Sequence, residues 1–272
     1  MRFIKKRTNE PKALVDFKKK LHEGDTIPTD LYAALRDDDS GAFNELQEIL
    51  AKEQGYVCAY CLGTLLKTIE INGEEKEVLS MKVEHFMPKS IFNGKVNSQK
   101  QVQKLCDKKV VKRADLRIEY NNLFAVCQGR SGLGETHCDT PPNGKGDKEL
   151  CDIPNPSEGK AKKFDLQLRY TANFSIVSDN HKVNSELNTI LNLNEEDLRK
   201  RRKSNWKAVA RRITKNSGVQ NWEAVGGLEV LQFASQVLEQ YRQPTRNNQY
   251  FEFYDCIIYQ LEKRIRAITA KL

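Results

Sequence analysis

Two cysteine pairs constrain this chain more than any other feature: Cys58-Ala-Tyr-Cys61, and Cys127 with Cys138. A C-x-x-C turn aims both sulfurs at one point, so it is a natural half of a tetrahedral zinc site. The surrounding stretch, 56–145, has weak periodicity and gathers cysteine, histidine and glycine. It carries too few apolar residues to fold unaided, and a four-thiolate staple would supply the missing cohesion. Cys127 and Cys138 are the best second half. Their separation exceeds the usual two to four residues, so 128–136, with three glycines, must loop out. His137 and Cys151 are rival fourth ligands, and Cys106 is a weaker one. The competing reading of Cys58 and Cys61 is a buried or redox thiol pair, which the absence of a βαβ pattern disfavours. Cys256 fits the buried face of the last helix.

Seven cysteines are an odd number, which argues against a fully paired disulfide framework. The start, Met1-Arg-Phe-Ile-Lys-Lys-Arg7, turns polar after four residues, and no apolar run approaches the ~20 residues of a membrane span. The expectation is a cytoplasmic protein with no membrane association. Lys and Arg total 45 against 37 Asp and Glu, a net +8 that is compatible with a polyanionic partner without requiring one. At 272 residues and 39% hydrophobic, the chain has enough apolar side chains for a real core, in one large domain or two small ones.

Three segments are expected. In 1–55 a short strand precedes helices. Asn9 and Pro11 start one helix carrying Leu14, Phe17 and Leu21, and Ser40 caps a second, 41–54, stopped by Gly55. In 56–160 a hairpin turns at Asn72-Gly73. In 161–272 a hairpin within 164–177 leads into helices. Leu187, Ile190, Leu191 and Leu193 mark the first, and Asn194 caps the next, where Leu198, Trp206, Val209 and Ile213 share a face. A further helix runs from Leu228 towards Pro244, and the last carries Tyr254, Ile257, Leu261, Ile265 and Ile268.

Between the cysteine halves lie Glu84-His85-Phe-Met-Pro88-Lys89 and Asn122, and Asp139 follows Cys138 directly. Hydrolysis of a phosphodiester needs a base for the attacking water, neutralisation of developing charge and a stabilised leaving oxygen. A neutral imidazole can supply the first near neutral pH, and a carboxylate-held divalent ion the others. Glu84 and His85 are adjacent, so on a strand they face opposite sides and cooperate only through a bend. Asn122 can hold that bend by hydrogen bonds, and Asp139 can add a second hard oxygen. Singly, each residue reads as a solvated carboxylate, a satisfied histidine or a turn asparagine. His22 and His181 read that way still.

The order Cys-x-x-Cys, Glu-His-x-x-Pro-Lys, Asn-Leu-x-x-x-Cys, Cys-Asp resembles the HNH, or ββα-metal, endonucleases, in which two strands and a helix present a histidine base and one divalent ion. Met1-Arg-Phe-Ile-Lys-Lys6, Glu10-Pro-Lys-Ala-Leu14, the C-x-x-C turn, Val83 to Lys89, His137-Cys-Asp139 and the Leu-Asn-Leu-Asn ending of 183–194 resemble the PtuB-like nuclease subunit of Septu-type antiphage systems. Similar subunits accompany some retrons. The resemblance implies His85 as general base, Glu84 as a ligand of Mg²⁺ or Mn²⁺ and Asn122 as the middle asparagine. Asp139 stands in the third position, where many HNH proteins carry His or Asn, with Asn143 in reserve. Lys89 and Lys145 would meet phosphate. The resemblance also implies an ATPase subunit as partner.

Nine Lys or Arg residues fall between Arg199 and Lys215. With the apolar stripe turned inward, Arg201, Arg202 and Lys203 are expected on a phosphate-tracking face, or alternatively on a solvated or partner-docking one. The expectations are therefore an α+β fold, with a zinc-stapled ββα-metal core flanked by N- and C-terminal helices. The expected activity is metal-dependent endonuclease chemistry, with DNA favoured over RNA such as tRNA. A non-catalytic zinc-stapled binding module is the alternative from a different class.

Overall fold

Helical spacing of apolar residues after Pro11 produces α1 (Lys12–Glu23), which buries Leu14 and Phe17. In α3 (Ala42–Glu53), Leu46 and Leu50 turn inward, and this helix packs on α1. A short helix, α2 (Leu31–Arg36), intervenes, too short to carry a periodic signal in the sequence. Asp30 caps it, its carboxylate accepting from Tyr32 N at 3.1 Å and Ala33 N at 3.0 Å. The computed structural model describes residues 1–23, 28–87, 117–130, 134–139, 150, 152–158 and 166–272.

Two N-terminal expectations are corrected. Residues 1–4 form no strand, and Ile4 N instead donates to Pro156 O at 2.8 Å, seating the buried Met1 and Ile4 in the core. Ser40 does not cap α3, because its hydroxyl donates to Asp38, and Gly41 begins the helix in the left-handed region at φ 77°.

Strands β1 (Leu66–Ile71) and β2 (Glu74–Leu79) pair across Asn72 (φ 54°) and Gly73 (φ 80°), the two left-handed residues a tight hairpin turn of this twist demands. Strands β3 (Lys82–His85) and β4 (Leu123–Val126) are antiparallel, with Lys82 opposite Val126 and His85 opposite Leu123. Strands β5 (Leu168–Tyr170) and β6 (Ile176–Ser178) form a third two-stranded sheet.

Helices α4 (His181–Thr189), α5 (Glu196–Ser217), α6 (Trp222–Val225), α7 (Leu228–Arg242) and α8 (Tyr254–Thr269) complete the described chain. Glu195, not Asn194, caps α5, accepting from Asp197 N at 2.8 Å and Leu198 N at 2.7 Å. Asn194 is occupied elsewhere, clamping the main chain of Ile176 through its N and O. One apolar core runs from Met1 to Ile268. Through it α3 meets β4, and α5, α7 and α8 pack together.

The fold is mixed α+β. The paired strands β3 and β4 are present in the middle segment. A helix completing a ββα unit on them is not seen among the described residues, and 88–116 and 140–149 lie outside these.

Candidate functional site

The first cysteine pair sits in a turn bounded by two left-handed residues, Tyr56 (φ 60°) and Leu62 (φ 62°). Cys58 N donates to Gly63 O at 2.9 Å, Leu62 N to Cys58 O at 3.1 Å, and Gly63 N to Cys61 Sγ at 3.3 Å. That last bond favours sulfur in its anionic, ligand form. Gln54, at the end of α3, ties the turn to β4. Its amide donates to Val57 O (3.0 Å) and Ala125 O (2.7 Å) and accepts from Ala125 N (2.9 Å). It is buried and works as a surrogate peptide group.

The second pair is positioned from two directions. Cys127 follows directly on β4. Cys138, itself left-handed at φ 59°, donates its N–H to Leu191 O at 2.8 Å. Asn192 Nδ2 donates to Thr136 O at 2.9 Å, and His137 N to Gly129 O at 3.0 Å. The Leu-Asn-Leu-Asn ending after α4 thus serves as a brace for the cysteine loop. Within that loop, Arg130 bridges Thr136 as an isolated β-pair, closing the excursion the spacing required.

The sulfurs of Cys58, Cys61, Cys127 and Cys138 all lie within 4.8 Å of one another and could hold a metal ion. Cys58 Sγ to Cys138 Sγ and Cys61 Sγ to Cys127 Sγ are each 3.8 Å. This is far too long for a disulfide, at about 2.05 Å. It matches the roughly 3.8 Å edge of a tetrahedron whose metal–sulfur arms are about 2.3 Å. Burial resists ionisation of Cys58, yet hydrogen bonds from Cys127, Cys138 and Cys61 outweigh it and hold that thiol well below its ordinary range. Burial, then hydrogen bonds with Cys127, Cys58 and Cys61, push Cys138 well up. Without a cation, one sulfur's charge is gained at another's expense, and a dication at the centre would relieve this conflict. His137 flanks the set, its Nδ1 3.1 Å from Cys138 Sγ. Cys106 and Cys151 lie outside the described residues.

Strand alternation places Lys82 and Glu84 on one face of β3 and Val83 and His85 on the other. Glu84 therefore turns towards the cysteine turn, where Tyr60 OH donates to its Oε1 at 3.4 Å, and towards Asp139. Burial first, then the neighbouring Asp139 carboxylate, push Glu84 well above the usual carboxylate range. Lys82 Nζ approaches Asp139 at 3.4 Å from the other side. Two carboxylates and a phenol thus converge beside the cysteine cluster.

His85 lies on the opposite face, buried, with Nε2 2.8 Å from Arg117 O. A carbonyl only accepts, so Nε2 carries the proton and Nδ1 is the basic nitrogen. Tyr32 of α2 meets the imidazole edge-on at 4.6 Å, and its hydroxyl donates to Val83 O at 3.4 Å. Burial above all keeps the Tyr32 phenol protonated, and the charges of Asp139 and Glu84 reinforce this. The expected bend falls after His85, not between it and Glu84. Asn122 pins it, Oδ1 accepting from Met87 N at 2.8 Å and Nδ2 donating to Met87 O at 3.2 Å. Tyr32, Tyr60 and Gln54 were not singled out in the sequence. Tyr60, inside the C-x-x-C turn, was the one with a signal. Lys89, Asn143 and Lys145 lie outside the described residues.

The basic helix departs from expectation at Arg202. Four residues after Leu198 and four before Trp206, it falls on the buried stripe. It is 1% exposed, donates to Phe174 O at 3.2 Å and lies near the rings of Tyr170 and Phe253, so it cannot meet a ligand in solvent. Arg201 is engaged by Glu252, whereas Lys203 is exposed.

No protein-family model and no curated protein matches this chain.

Proposed function

We propose that the chain is a metal-dependent endonuclease of the HNH type, cleaving nucleic-acid phosphodiesters, DNA by preference, in antiphage defence with an ATPase subunit. One observation carries the reading: a half-buried carboxylate pair, Glu84 and Asp139, stands beside a four-cysteine cluster, with a histidine of fixed tautomer on the opposite face of the same strand. In this reading Cys58, Cys61, Cys127 and Cys138 hold a structural zinc, and Glu84 and Asp139 hold Mg²⁺ or Mn²⁺. The dication supplies neutralisation of phosphate charge when bound. His85 accepts the proton of the attacking water, Asn122 fixes the loop after His85, and Lys82 balances the charge of Asp139. The ATPase partner and the defence role rest on the sequence resemblance alone.

Burial of His85 under Tyr32 supports a second reading, a zinc-stapled binding module without catalysis. Cleavage of plasmid DNA and of total RNA, with Mg²⁺ or Mn²⁺ and with any neighbouring ATPase present, separates the two. The expected result is cleavage by wild type and a loss of roughly 10²-fold or more in His85→Ala, with folding and zinc content unchanged. Activity of His85→Ala within about twofold of wild type, far short of the loss of a general base, would mean that the cleavage comes from elsewhere, and the chain would then read as the binding module. Preference for RNA would change the substrate while keeping the chemistry.

A further inference from the structure

A groove of about 650 Å³ lies between α5, α6 and α8, lined among others by Lys203, Lys207, Arg211, Trp206, Trp222 and Arg264. Lys203, Lys207 and Arg211 follow one another at four-residue intervals, about 6 Å apart along the helix. All three are exposed, and none forms an ion pair or hydrogen bond among the described residues. Three other cations of α5 are engaged, Lys200 by Glu196 at 2.6 Å, Arg201 by Glu252 and Arg212 by Gln240 at 2.7 Å, whereas Lys215, in the last turn, is exposed and outside the groove.

The floor of the groove is packed and hydrogen-bonded. Trp206 and Trp222 lie with ring centroids 6.2 Å apart, and the Arg264 guanidinium sits 4.3 Å over Trp206. Glu223 (3.0 Å) and Gln260 (2.6 Å) hold that guanidinium in place. Glu223 is the only carboxylate in the lining, against four cations.

We infer that this groove grips the sugar–phosphate backbone of a polynucleotide. A row of unpaired cations at one-turn intervals suits successive phosphates along a strand. Both indole faces are covered, at 5% and 2% exposure, so bases find no stacking platform and the contact is independent of sequence. A protein partner would need apolar anchors. The exposed large apolar side chains of the described residues, Ile71, Leu228, Phe251 and Leu272, all lie outside the lining. Arg201 lies beside Gly63 in the cysteine turn, and Lys203, two residues on, is about 200° further round the helix. The groove therefore opens away from the cysteine turn. It lengthens the footprint on the nucleic acid and does not place the scissile bond.

The choice of nucleic acid as the polyanion rests on the function proposed above, but the test reads binding alone. Binding of the full chain to a fluorescently labelled single-stranded oligodeoxynucleotide, and to its duplex, is measured against salt without added divalent ions. In the triple variant Lys203→Gln, Lys207→Gln, Arg211→Gln, the slope of log affinity against log salt should flatten by about 2 to 3, since each lost phosphate contact removes roughly 0.7 to 0.9. Glutamine is a good helix former, so the fold should be retained, and circular dichroism checks it. The control Lys200→Gln, Arg212→Gln should change the slope by less than half as much. An unchanged slope in the triple variant, or an equal change in the control, overturns the inference. So does retained oligonucleotide binding with loss of an acidic protein partner. A protein that binds with the expected slopes but never cleaves removes the nuclease reading and leaves the groove standing.

Discussion

The cysteine region and the C-terminal helices are held together by different physics. Around 56–87, 117–130 and 134–139 the chain is fixed by convergent sulfurs, by the buried amides of Gln54 and Asn122, and by main-chain bonds across a four-residue strand pair. From α5 onward, order comes from apolar stripes. Leu198, Trp206, Val209 and Ile213 meet Val230, Ala234 and Val237 of α7 and Ile257 and Leu261 of α8 in one core. The first kind of region concentrates its stability in a few replaceable atoms. The second spreads it over many contacts, so single losses are graded.

The largest expected effect lies in the first region. Cys61→Ser removes one of the four sulfurs, and structural zinc contributes about 10 kcal/mol or more to small sites of this kind. The variant should lose bound metal and solubility together, read by metal analysis of the soluble fraction. Soluble Cys61→Ser with full metal content would erase the contrast between the two regions.

Ile257 sharpens the comparison from the other side. It is fully buried in α8. Ile257→Ala should cost about 2–5 kcal/mol in urea unfolding, while the metal bound per folded chain stays unchanged. Loss of metal from that variant would show that the two regions stand or fall together.

Lys6 tests the join between the two regions through pH. Its ammonium donates to Leu123 O at 2.7 Å and lies over the rings of Tyr120 and Phe124. Burial lowers it from 10.5 to about 7, with Glu53 opposing that shift. Between those two values the unfolded chain binds more protons than the folded one, so stability rises with pH across the interval. Below pH 7 both states are charged, and the cost of burying the ammonium is felt in full. Lys6→Met should flatten that rise in urea midpoints measured over the same range, and a rise that persists would assign it to other groups.

Features set by neighbouring residues were legible in the sequence. The hairpin at Asn72-Gly73, the C-x-x-C turn and the extents of α7 and α8 follow from turn chemistry and periodicity. What was missed depends on distant partners. Gln54 reads as the polar end of a helix, and only β4, 71 residues on, makes it a clamp. Helix α2 spans just six residues, too few for a periodic signal, yet it delivers Tyr32 to His85. Arg202 occupies an apolar position in the stripe, and its charge hid that. Asn194 and Glu195 are both able to cap, and the choice fell to β6, which claimed the asparagine. Of the candidate site, the cysteines converge as their spacing suggested, Asn122 bonds the loop after His85, and Glu84 and Asp139 lie near one another. The histidine's burial against Arg117 O and Tyr32 had no local signal.

Stoichiometric metal analysis of the folded, wild-type chain, purified without added metal, tests the metal-held centre most directly. The expected result is a single zinc per chain, removed only by chelation that also unfolds the protein. Folded, soluble wild-type protein with no zinc and four free thiols would contradict it.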